Sequence, residues 1–577
     1  MKIFSDKRFV MFVAILLSVA MAVYGQKYCY PIKGVKGLYS ASFGEMRPNH
    51  FHSGIDIRTE GAEGKAVVAV ADGYVSSIAL APNGYGLALY VTHPDKGTMS
   101  VYAHLSRLRK DIAEYLVAER YRRKQNRLRL FPQKEMFVVA QGDTIAYSGN
   151  SGSSFGPHLH FELRDVVSGH TLNPVRQGVV APRDTIAPDI LRLHYVAIEK
   201  AGEGERSCLK ESYTPRFDGD KYVVSEIVEV GEKGYFVVET KDRRNGSTNR
   251  FGVYRATMSI DEEPRFEYRI DHFAFVDTRH CNVASFYPLQ HSAKCEVIRL
   301  ARMPYAPDYL YNNAFGDGVV RSKVGEQRSV EVFVEDECGN TSKLSFEMCG
   351  ATPTATAVAP TVENSLLDGK QAQSIEAEGF SLFVPRGALY EVEPYEVSIV
   401  ENITPIDTTL VQLSPIFRIF TEDTPFNKAV RIRFAVAESA PYANRACVAT
   451  IDEEGEMKYL GGEYCGDSVE VVARRGGGMV VVADTIAPMI RPRFKARADM
   501  RGVKQLSFSV KDNFSKVRNY TLYIDGKWRS VDYQPIKGEM VHCFDMPLQG
   551  RGVWHNVRLE VEDCCGNIGV WQGKILK

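Results

Sequence analysis

The chain is 577 residues long, too long for a single hydrophobic core, and its length predicts about three to five domains. Hydrophobic residues make up 44% and charged residues 25%, which are ordinary proportions for globular protein. Lys plus Arg and Asp plus Glu each number 71, so the formal net charge is zero. This balance gives no electrostatic reason to propose nucleic acid or an anionic membrane as a partner.

Residues 1–25 have the layout of a secretory signal peptide. Lys2, Lys7 and Arg8 form a positive start, and residues 9–23 are then apolar but for one serine. A single membrane anchor is the alternative, but this run of about 15 residues is shorter than the roughly 20 needed to cross a bilayer. We therefore expect cleavage, export to the periplasm or cell envelope, and no transmembrane segment in the mature chain.

Residues 26–183 are predicted to form a β-rich domain. Short β-branched runs alternate with turn signals there, and the predicted strands cover 66–70, 73–78, 88–92 and 137–139. Residues 108–134 are rich in Arg, Lys, Glu, Leu and Tyr and lack Gly, which predicts one inserted helix of about four to six turns. We expect this helix to form a wall or flap of a groove. Its basic side chains could contact an anionic polymer, although a solvated helix face is the favoured interpretation.

Two sequence signals recur further along the chain. Asp184-Thr-Ile-Ala-Pro188 recurs at 484–488, and Val334-Glu-Asp-Glu-Cys-Gly-Asn340 recurs as Val561-Glu-Asp-Cys-Cys-Gly-Asn567. A proline at the entry and an Asp/Gly-Asn turn before the last strand are typical of a β-sandwich. We therefore predict Ig-like β-sandwich domains at 184–349 and 484–577.

The region between these two sandwiches is predicted to hold a linker and a third β-rich domain. Residues 350–374 include a Pro/Thr-rich run of small residues that is typical of linkers. Residues 375–483 form the β-rich domain, and its segments 379–388 and 415–419 resemble the β-sandwich domain of ankyrins and netrin receptors. The predicted fold class is therefore mainly β throughout.

The eleven cysteines are an odd number for an exported protein. Three pairs are close enough in sequence for local disulfides: Cys281 and Cys295, Cys338 and Cys349, and Cys447 and Cys465. Buried free thiols are an equal alternative.

Two pairs of side chains carry the strongest chemical signal. His158 and His160 lie two residues apart in a segment predicted as a strand, so they share a face, and His52 and Asp56 also share a face in an extended chain. Two imidazoles and one carboxylate are a ligand set that zinc favours, with a fourth position left for water. We predict that His52, Asp56 and His160 bind one zinc ion. The spare imidazoles, His104 and His158, could take a proton from the water and stabilise the oxyanion or protonate the leaving amine.

Seven motifs in the first domain occur in a characteristic order. They are Phe51-His-Ser-Gly-Ile-Asp-Ile57, Ala71-Asp-Gly-Tyr-Val75, Tyr85-Gly86, Val101-Tyr-Ala-His-Leu105, Gly142-Asp-Thr-Ile145, Ser148-Gly-Asn-Ser-Gly152 and Gly156-Pro-His-Leu-His-Phe-Glu162. Over residues 45–165 this order resembles the lysostaphin- and LytM-type zinc endopeptidases, which cut peptide bonds in bacterial cell walls. The resemblance implies an antiparallel β-sheet peptidase domain. It also implies zinc ligation by His52, Asp56 and His160, and catalytic roles for His104 and His158.

Three other residues have alternatives. His50 could compete as a ligand, but the spacing to Gly-Ile-Asp favours His52. His93 is better explained as a turn residue. Glu162 either holds an imidazole in place or is a strand-edge carboxylate.

Three functions follow from these features. The leading prediction is an exported zinc-dependent endopeptidase with peptidoglycan peptides as substrate. Some relatives of this family keep the fold, lose ligands and activate other wall enzymes, which makes a catalytically silent regulator the second prediction. An adhesin or scaffold is the third, because β-sandwiches without visible chemistry usually position or bind. As accessories, they would contact a cell-envelope protein partner.

Overall fold

The computed structural model describes residues 28–577 except 203, 291–292, 353–365, 395–396, 401–406, 423, 496 and 551. The expected signal peptide and residues 353–365 of the expected linker lie outside the described residues. The described part is mainly β, which confirms the predicted fold class. The domain limits given above stay predictions.

The described part of the first domain consists of two main antiparallel sheets, a two-stranded sheet of β2 and β3, and one α-helix. Its elements are β1 Tyr39–Ala41, β2 Met46–Arg47, β3 His50–Phe51, β4 Ile55–Arg58, β5 Ala66–Val68, β6 Gly73–Leu80, β7 Leu87–His93, a 3₁₀ turn Pro94–Lys96, β8 Thr98–Ala103, β9 Leu105–Leu108, α1 Lys110–Arg123, β10 Leu128–Leu130, β11 Val138–Val139, β12 Thr144–Ser148, β13 His158–Asp165 and β14 Thr171–Leu172. The large sheet has the order β1-β4-β13-β8-β7-β6-β10, and the small sheet has the order β5-β12-β9.

Strand β13 lies inside the large sheet, and its alternating sequence gives it two different faces. Leu159 and Phe161 are fully buried in the hydrophobic core on one face. His158 and His160, at the alternate positions, point to the other face. The same pleat that fills the core therefore presents a row of imidazoles on the opposite side.

Helix α1 is shorter than the predicted 108–134, so that prediction was wrong in its extent. The helix ends at Arg123, because Lys124 adopts a left-handed conformation with φ 52°. The alternating Leu128-Arg-Leu130 that follows pairs with β6 as strand β10. The charged, Gly-free composition favoured a helix over the whole segment. Residues 128–130 instead form a strand, because they pair with the open edge of the sheet at β6.

Helix α1 packs one side against the C-terminal block instead of forming a groove wall, and its other side is the solvated face favoured above, with Lys110 and Arg122 exposed. Arg120 Nη2 lies 2.8 Å from Asp532 Oδ1. The Tyr121 hydroxyl donates to Asp545 Oδ1 at 2.7 Å, and its ring lies edge-on to Trp528 with centroids 5.3 Å apart. Arg120 therefore serves an internal contact between parts of the chain, whereas Arg122 and Arg123 pair with Glu119 of the same helix.

The second block has two sheets, ordered β16-β15-β20-β24 and β17-β18-β27-β26-β21-β22. Its elements are β15 Asp189–Ala201, β16 Gly204–Tyr213, β17 Arg216–Phe217, β18 Tyr222–Val223, β19 Val228–Val230, β20 Lys233–Lys241, β21 Arg255–Ile260, β22 Glu263–Arg269, β23 His272–Phe273, a 3₁₀ turn Phe275–His280, α2 Cys281–Ala284, α3 Tyr287–Gln290, β24 Glu296–Arg299, a 3₁₀ turn Asp308–Leu310, β25 Val320–Arg321, β26 Gln327–Glu335 and β27 Thr341–Gly350.

The first domain and the second block share one hydrophobic core. Strand β23 pairs with β14, with Thr171 opposite Phe273. The Phe273 ring lies 5.4 Å from the ring of Phe43 and 5.4 Å from that of Phe51. This continuous packing fixes the second block next to the imidazole-bearing face of the large sheet.

The third and fourth blocks are each built from two main sheets. The third contains β28 Leu366–Leu367, β29 Gln373–Ala377, β30 Phe380–Val384, β31 Glu393–Pro394, β32 Val397–Val400, β33 Val411–Gln412, β34 Ile416–Ile419, β35 Val430–Ala435, a 3₁₀ turn Ala443–Arg445, β36 Ala446–Ile451, β37 Met457–Gly461, β38 Glu463–Tyr464, β39 Ser468–Ala473 and β40 Gly477–Ala483. The fourth contains β41 Met489–Pro492, β42 Ala498–Asp499, β43 Gln505–Lys511, β44 Val517–Ile524, β45 Lys527–Arg529, β46 Asp532–Gln534, a 3₁₀ turn Pro535–Lys537, β47 Glu539–Cys543, β48 Trp554–Asp563 and β49 Ile568–Leu576.

Two further expectations can be compared with the structure. All eleven cysteines are free thiols, so none of the three local disulfides is formed, but only Cys281, Cys447 and Cys565 are buried. Every helix in the described ranges is too short or too polar to cross a membrane.

Candidate metal centre

The strand register brings Asp56 beside His160. In the antiparallel ladder between β4 and β13, His160 is directly opposite Asp56, and on the other side it is opposite Ala103 of β8. Directly opposed residues point to the same face of a sheet. Asp56 Oδ1 accordingly lies 2.8 Å from His160 Nδ1.

His52 completes a three-residue group. It follows β3, and its Nε2 lies 3.2 Å from Asp56 Oδ1 and 3.1 Å from His160 Nδ1. Its Nδ1 donates to the carbonyl oxygen of Ser42 at 2.7 Å. Because that bond places the proton on Nδ1, the lone pair of Nε2 faces Asp56 and His160.

The geometry of this group fits a zinc ion. Its three ligand atoms lie 2.8–3.2 Å apart, close to the separation of about 3.3 Å between ligands on tetrahedral zinc with bonds of about 2.0 Å. Asp56 Oδ2 accepts from Arg47 Nη2 at 2.9 Å, which leaves Oδ1 as the inward-facing donor. His52, Asp56 and His160 are each less than 10% exposed. The residues predicted as ligands are thus brought together with their other polar atoms already bonded.

Glu162 holds the His160 imidazole. Its Oε1 accepts from His160 Nε2 at 2.9 Å and from Ser53 Oγ at 2.6 Å, and the Tyr85 hydroxyl donates to the same oxygen. Its Oε2 accepts from Arg164 Nε at 2.7 Å. Although burial alone raises it, the pKa of Glu162 falls to about 2 because Arg164 and His160 outweigh burial. Glu162 therefore orients the His160 imidazole and is not merely a strand-edge carboxylate.

His104 and His158 lie next to the three-residue group. Their ring centroids are 4.8 Å apart, and His158 Nε2 lies 3.6 Å from Asp56 Oδ1. Each ring is oriented through Nδ1, which donates to the carbonyl of Ser151 at 2.8 Å in His104 and of Gly156 at 2.9 Å in His158. His104 lies between β8 and β9, where its φ is 58°.

Burial and hydrogen bonds together determine the pKa values of His52, His104 and His160. It lowers the pKa of His52 to about 4. Burial, followed by the nearby His160 and His158, lowers the pKa of His104 to about 3. Burial also lowers the pKa of His160, but its hydrogen bonds with Asp56 and Glu162 outweigh burial and raise the pKa to about 9. His52 and His104 are therefore neutral at neutral pH and can donate a lone pair or accept a proton.

The two histidines considered as alternatives have other surroundings. His50 is exposed, and its Nδ1 lies 3.2 Å from the Pro48 carbonyl. His93 is the last residue of β7 and is fully buried, with Nδ1 3.0 Å from the Asp72 carbonyl and Nε2 2.8 Å from Ser100 Oγ. Neither belongs to the three-residue group, and His93 is a core residue at a strand end.

The second block forms part of the groove over the group. This groove has a volume of about 1100 Å³, and Phe275 and Thr278 contribute to its lining. Thr278 Oγ1 accepts from the Phe51 amide at 3.1 Å, immediately before His52. Phe155, which is 92% exposed, lies on the same groove. No sequence signal marked Thr278, because its contact joins segments 227 residues apart.

Comparisons with known proteins match two parts of the chain. The family described as "Peptidase family M23" matches residues 50–118, and the family described as "Zu5-like domain" matches residues 364–484. Among curated proteins, an "Uncharacterized metalloprotease" of Haemophilus influenzae is 30% identical over 132 residues, 23% of this chain and 21% of that protein. The "DD-carboxypeptidase/endopeptidase Mpg" of Neisseria meningitidis is 32% identical over 136 residues, 24% of this chain and 25% of that protein. The "Murein hydrolase activator NlpD" of Escherichia coli is 34% identical over 125 residues, 22% of this chain and 25% of that protein.

Two solved structures are also similar to part of this chain. The catalytic domain of the M23 protein EnpA from Enterococcus faecalis is 25% identical, with 25% of this chain and 94% of that chain covered and a TM-score of 0.19. The catalytic domain of lysostaphin from Staphylococcus simulans is 20% identical, with 24% and 90% covered and a TM-score of 0.18. The matches span about a quarter of the length of the curated relatives. The predicted resemblance of the first domain is confirmed.

Proposed function

We propose that this protein, whose first domain is of the LytM and lysostaphin peptidase type, is an exported zinc-dependent endopeptidase that hydrolyses peptide bonds in peptidoglycan stem peptides or cross-links. The observation that carries the proposal is the buried group of His52, Asp56 and His160, with two further imidazoles beside it on one groove. Metal-assisted hydrolysis needs ligands whose other polar atoms are already hydrogen-bonded. It also needs imidazoles beside the ion that can take up or give a proton.

The residues divide into ligands and proton-handling groups. His52 Nε2, Asp56 Oδ1 and His160 Nδ1 would hold the ion, which when bound supplies Lewis acidity and makes a water molecule acidic enough to attack near neutral pH. His104 would accept the proton of the attacking water at Nε2, because its Nδ1 proton is held by the Ser151 carbonyl. His158 would need a proton on Nε2 to donate at the scissile amide, because its Nδ1 proton is held by the Gly156 carbonyl.

The surrounding residues position this machinery. Glu162 fixes the ring of His160, and Arg47 holds Asp56 Oδ2 so that a single oxygen faces the ion. The exposed ring of Phe155 offers an apolar surface for a substrate peptide in the groove. These positions leave room for an extended chain across the imidazoles.

The test is digestion of purified cross-linked peptidoglycan by the full chain. We expect release of soluble peptide-containing fragments, detected by mass spectrometry, with loss after chelation and recovery on addition of one equivalent of zinc. Absence of any release by the zinc-loaded chain would contradict the proposal.

A regulator of other wall hydrolases is the second candidate. It is favoured by the 34% identity to a protein named as a murein hydrolase activator. The complete set of five His and Asp positions favours the enzyme. The same digestion distinguishes them, because a regulator alone releases nothing but increases the release caused by a separate wall hydrolase.

Export and an envelope partner belong to the same proposal. The signal-peptide pattern of residues 1–25 supports export, and β-sandwich blocks outside the groove are suited to binding an envelope protein. Fractionation of cells that carry a C-terminally tagged chain tests this, with the tag expected in the periplasmic or envelope fraction and no longer attached to residues 1–25. Recovery in the cytosol with residues 1–25 intact would contradict it.

A further inference from the structure

The sequence signals that open and close the second block bring carboxylates together. Asp184, Asp336 and Cys338 offer ligand atoms that all lie within 4.8 Å of one another. Asp242, the residue after β20, lies close enough for the charges of Asp336 and Asp184 to act on it. These three aspartates are referred to below as the first carboxylate cluster.

Asp242 has no hydrogen-bond partner in this cluster. Its exposure is 0%, and both of its carboxylate oxygens are buried without a partner. Asp184 Oδ2 is also buried without a partner, whereas Asp184 Oδ1 accepts from the amides of Thr185 at 2.9 Å and Ile186 at 3.2 Å. A buried carboxylate without a partner is costly unless a proton or a cation neutralises it.

The other members of the first cluster are held by their own loops. Asp336 Oδ1 accepts from the amides of Cys338 at 2.8 Å and Asn340 at 2.9 Å. Arg244, the guanidinium beside Asp242, makes its ion pair with Glu337 and stacks over Phe251 at 4.4 Å from the ring centroid. The loops thus fix the carboxylates in place. The charge of Arg244 acts on Asp242, but Arg244 makes no hydrogen bond to it, and its Nε and Nη1 are buried without a partner.

The fourth block repeats the arrangement. Asp484, Asp512 and Asp563 offer ligand atoms within 4.8 Å of one another. Asp484 and Asp563 occupy the positions of Asp184 and Asp336 in the repeated sequence signals, and Asp512 follows β43 as Asp242 follows β20.

The second carboxylate cluster resembles the first but is more fully hydrogen-bonded. Asp512 Oδ1 is buried without a partner, whereas Asp512 Oδ2 accepts from the amides of Phe514 at 3.1 Å and Lys516 at 2.7 Å. Asp563 Oδ1 accepts from the Asn567 amide at 2.8 Å, as Asp336 accepts from Asn340. Each of the two blocks therefore brings an entry aspartate and a last-turn aspartate together, with an aspartate that follows a strand nearby.

We propose that each cluster binds one Ca²⁺ ion where the chain enters a β-sandwich block. Carboxylate oxygens are hard ligands, and calcium accepts the irregular oxygen geometry that loops provide more readily than magnesium does. Cys338 corresponds to Cys565 in the repeated sequence signal, but Cys565 is not among the three ligand residues of the second cluster, and Cys338 Sγ contacts the Pro182 carbonyl at 3.9 Å. The shared donors are therefore three carboxylates, which favour calcium over zinc.

Bound calcium would fix the two junctions of the chain. Asp184 and Asp484 lie at the entry to their blocks, whereas Asp336 and Asp563 lie in the last turn of the same blocks. An ion shared between entry and exit stabilises the folded state by mass action, since the unfolded chain has no such site.

The experiment is calorimetric titration of the chelator-treated full chain with CaCl₂ at neutral pH, with MgCl₂ and ZnCl₂ in parallel. We expect the wild type to bind two Ca²⁺ per chain. Each single variant, Asp242→Asn or Asp512→Asn, should bind one Ca²⁺, and the double variant should bind none. The matched control, Asp220→Asn, changes an exposed aspartate of the second block and should keep two.

Thermal unfolding of the same proteins guards against loss of fold. Asp242→Asn replaces a buried carboxyl group that has no hydrogen-bond partner. The calcium-free variant should therefore unfold at a temperature equal to or above that of the wild type, and calcium should raise this temperature less in the variant. No calcium binding by the wild type would overturn the proposal. So would undiminished stoichiometry in the double variant, or equal affinity and stoichiometry for magnesium or zinc.

Discussion

Two buried carboxylates in this molecule differ in their partners. Asp56 has imidazoles at one oxygen and the Arg47 guanidinium at the other. Asp242 has no hydrogen-bond partner at either oxygen. The first lies among nitrogen donors on a groove, and the second lies among other carboxylates within a β-block. The comparison indicates that the neighbouring donors decide which ion a buried carboxylate suits: zinc with imidazoles, calcium with oxygens.

Removing one imidazole ligand should have the largest effect. In His52→Ala, two protein ligands remain, so we expect loss of stoichiometric zinc and a fall in peptidoglycan digestion of about 10³-fold or more. His50→Ala is the matched control, two residues away and exposed, and should keep both. Metal analysis and the digestion assay measure the two effects. A zinc loss in His50→Ala and not in His52→Ala would reverse the ligand assignment.

Replacing His104 should separate metal binding from catalysis. His104→Ala keeps all three ligand atoms, so one zinc per chain should remain. The rate should fall by about 10²–10⁴-fold, because the neutral imidazole that accepts the proton is gone. Metal content is measured beside kcat on a soluble peptide substrate. If zinc is lost in parallel with activity, His104 acts on the structure of the metal centre and not on the proton.

A smaller effect is expected at Glu162. Glu162→Gln keeps the shape but weakens the bond that orients His160 and leaves Arg164 without its carboxylate. Zinc affinity should fall by about 10- to 100-fold. Competition with a zinc-binding dye measures it, and affinity equal to that of the wild type would show that the ring is held by its strand alone.

Glu296 provides a third kind of buried carboxylate, with both oxygens bonded to amides and no cation. It accepts from Met46 N at 3.0 Å and Val253 N at 2.6 Å. Burial raises its pKa from 4.5 to about 7 although both amides oppose the shift. Because its pKa is raised, Glu296 binds a proton more tightly in the folded state than in the unfolded state, and this proton stabilises the fold. The contribution is full below pH 4.5 and is lost as the pH rises through about 7.

The expected size of this effect is on the order of 3 kcal/mol, from about 1.4 kcal/mol per pKa unit. The Tm of the wild type should therefore fall more between about pH 5 and pH 8 than that of Glu296→Gln. Glu226→Gln, an exposed control in the same block, should follow the wild type. Identical pH profiles for the wild type and Glu296→Gln would contradict the assigned shift.

The sequence could predict the metal group because its geometry is local to strands. The alternation of His158 and His160, and the motif that contains His52 and Asp56, decide which face each side chain takes, and the ladder then places Asp56 opposite His160. Conversely, the composition of residues 108–134 could not reveal that its end pairs with β6, because sheet edges are set by tertiary structure.

Contacts that join distant segments were not predictable in the same way. Thr278 completes the groove from a block that was expected to be only an accessory. Asp242 joins the first carboxylate cluster from a strand end that carries no repeated sequence signal. Both depend on how blocks pack, and periodicity along the chain holds no information about that.

The most direct test of the central claim is the anomalous diffraction map of zinc-loaded crystals of the full chain, measured on both sides of the zinc absorption edge. The account predicts one strong peak in the groove, about 2.0–2.2 Å from His52 Nε2, Asp56 Oδ1 and His160 Nδ1. A zinc peak held by other residues, or a peptidase-active crystal form with no peak at this group, would contradict it.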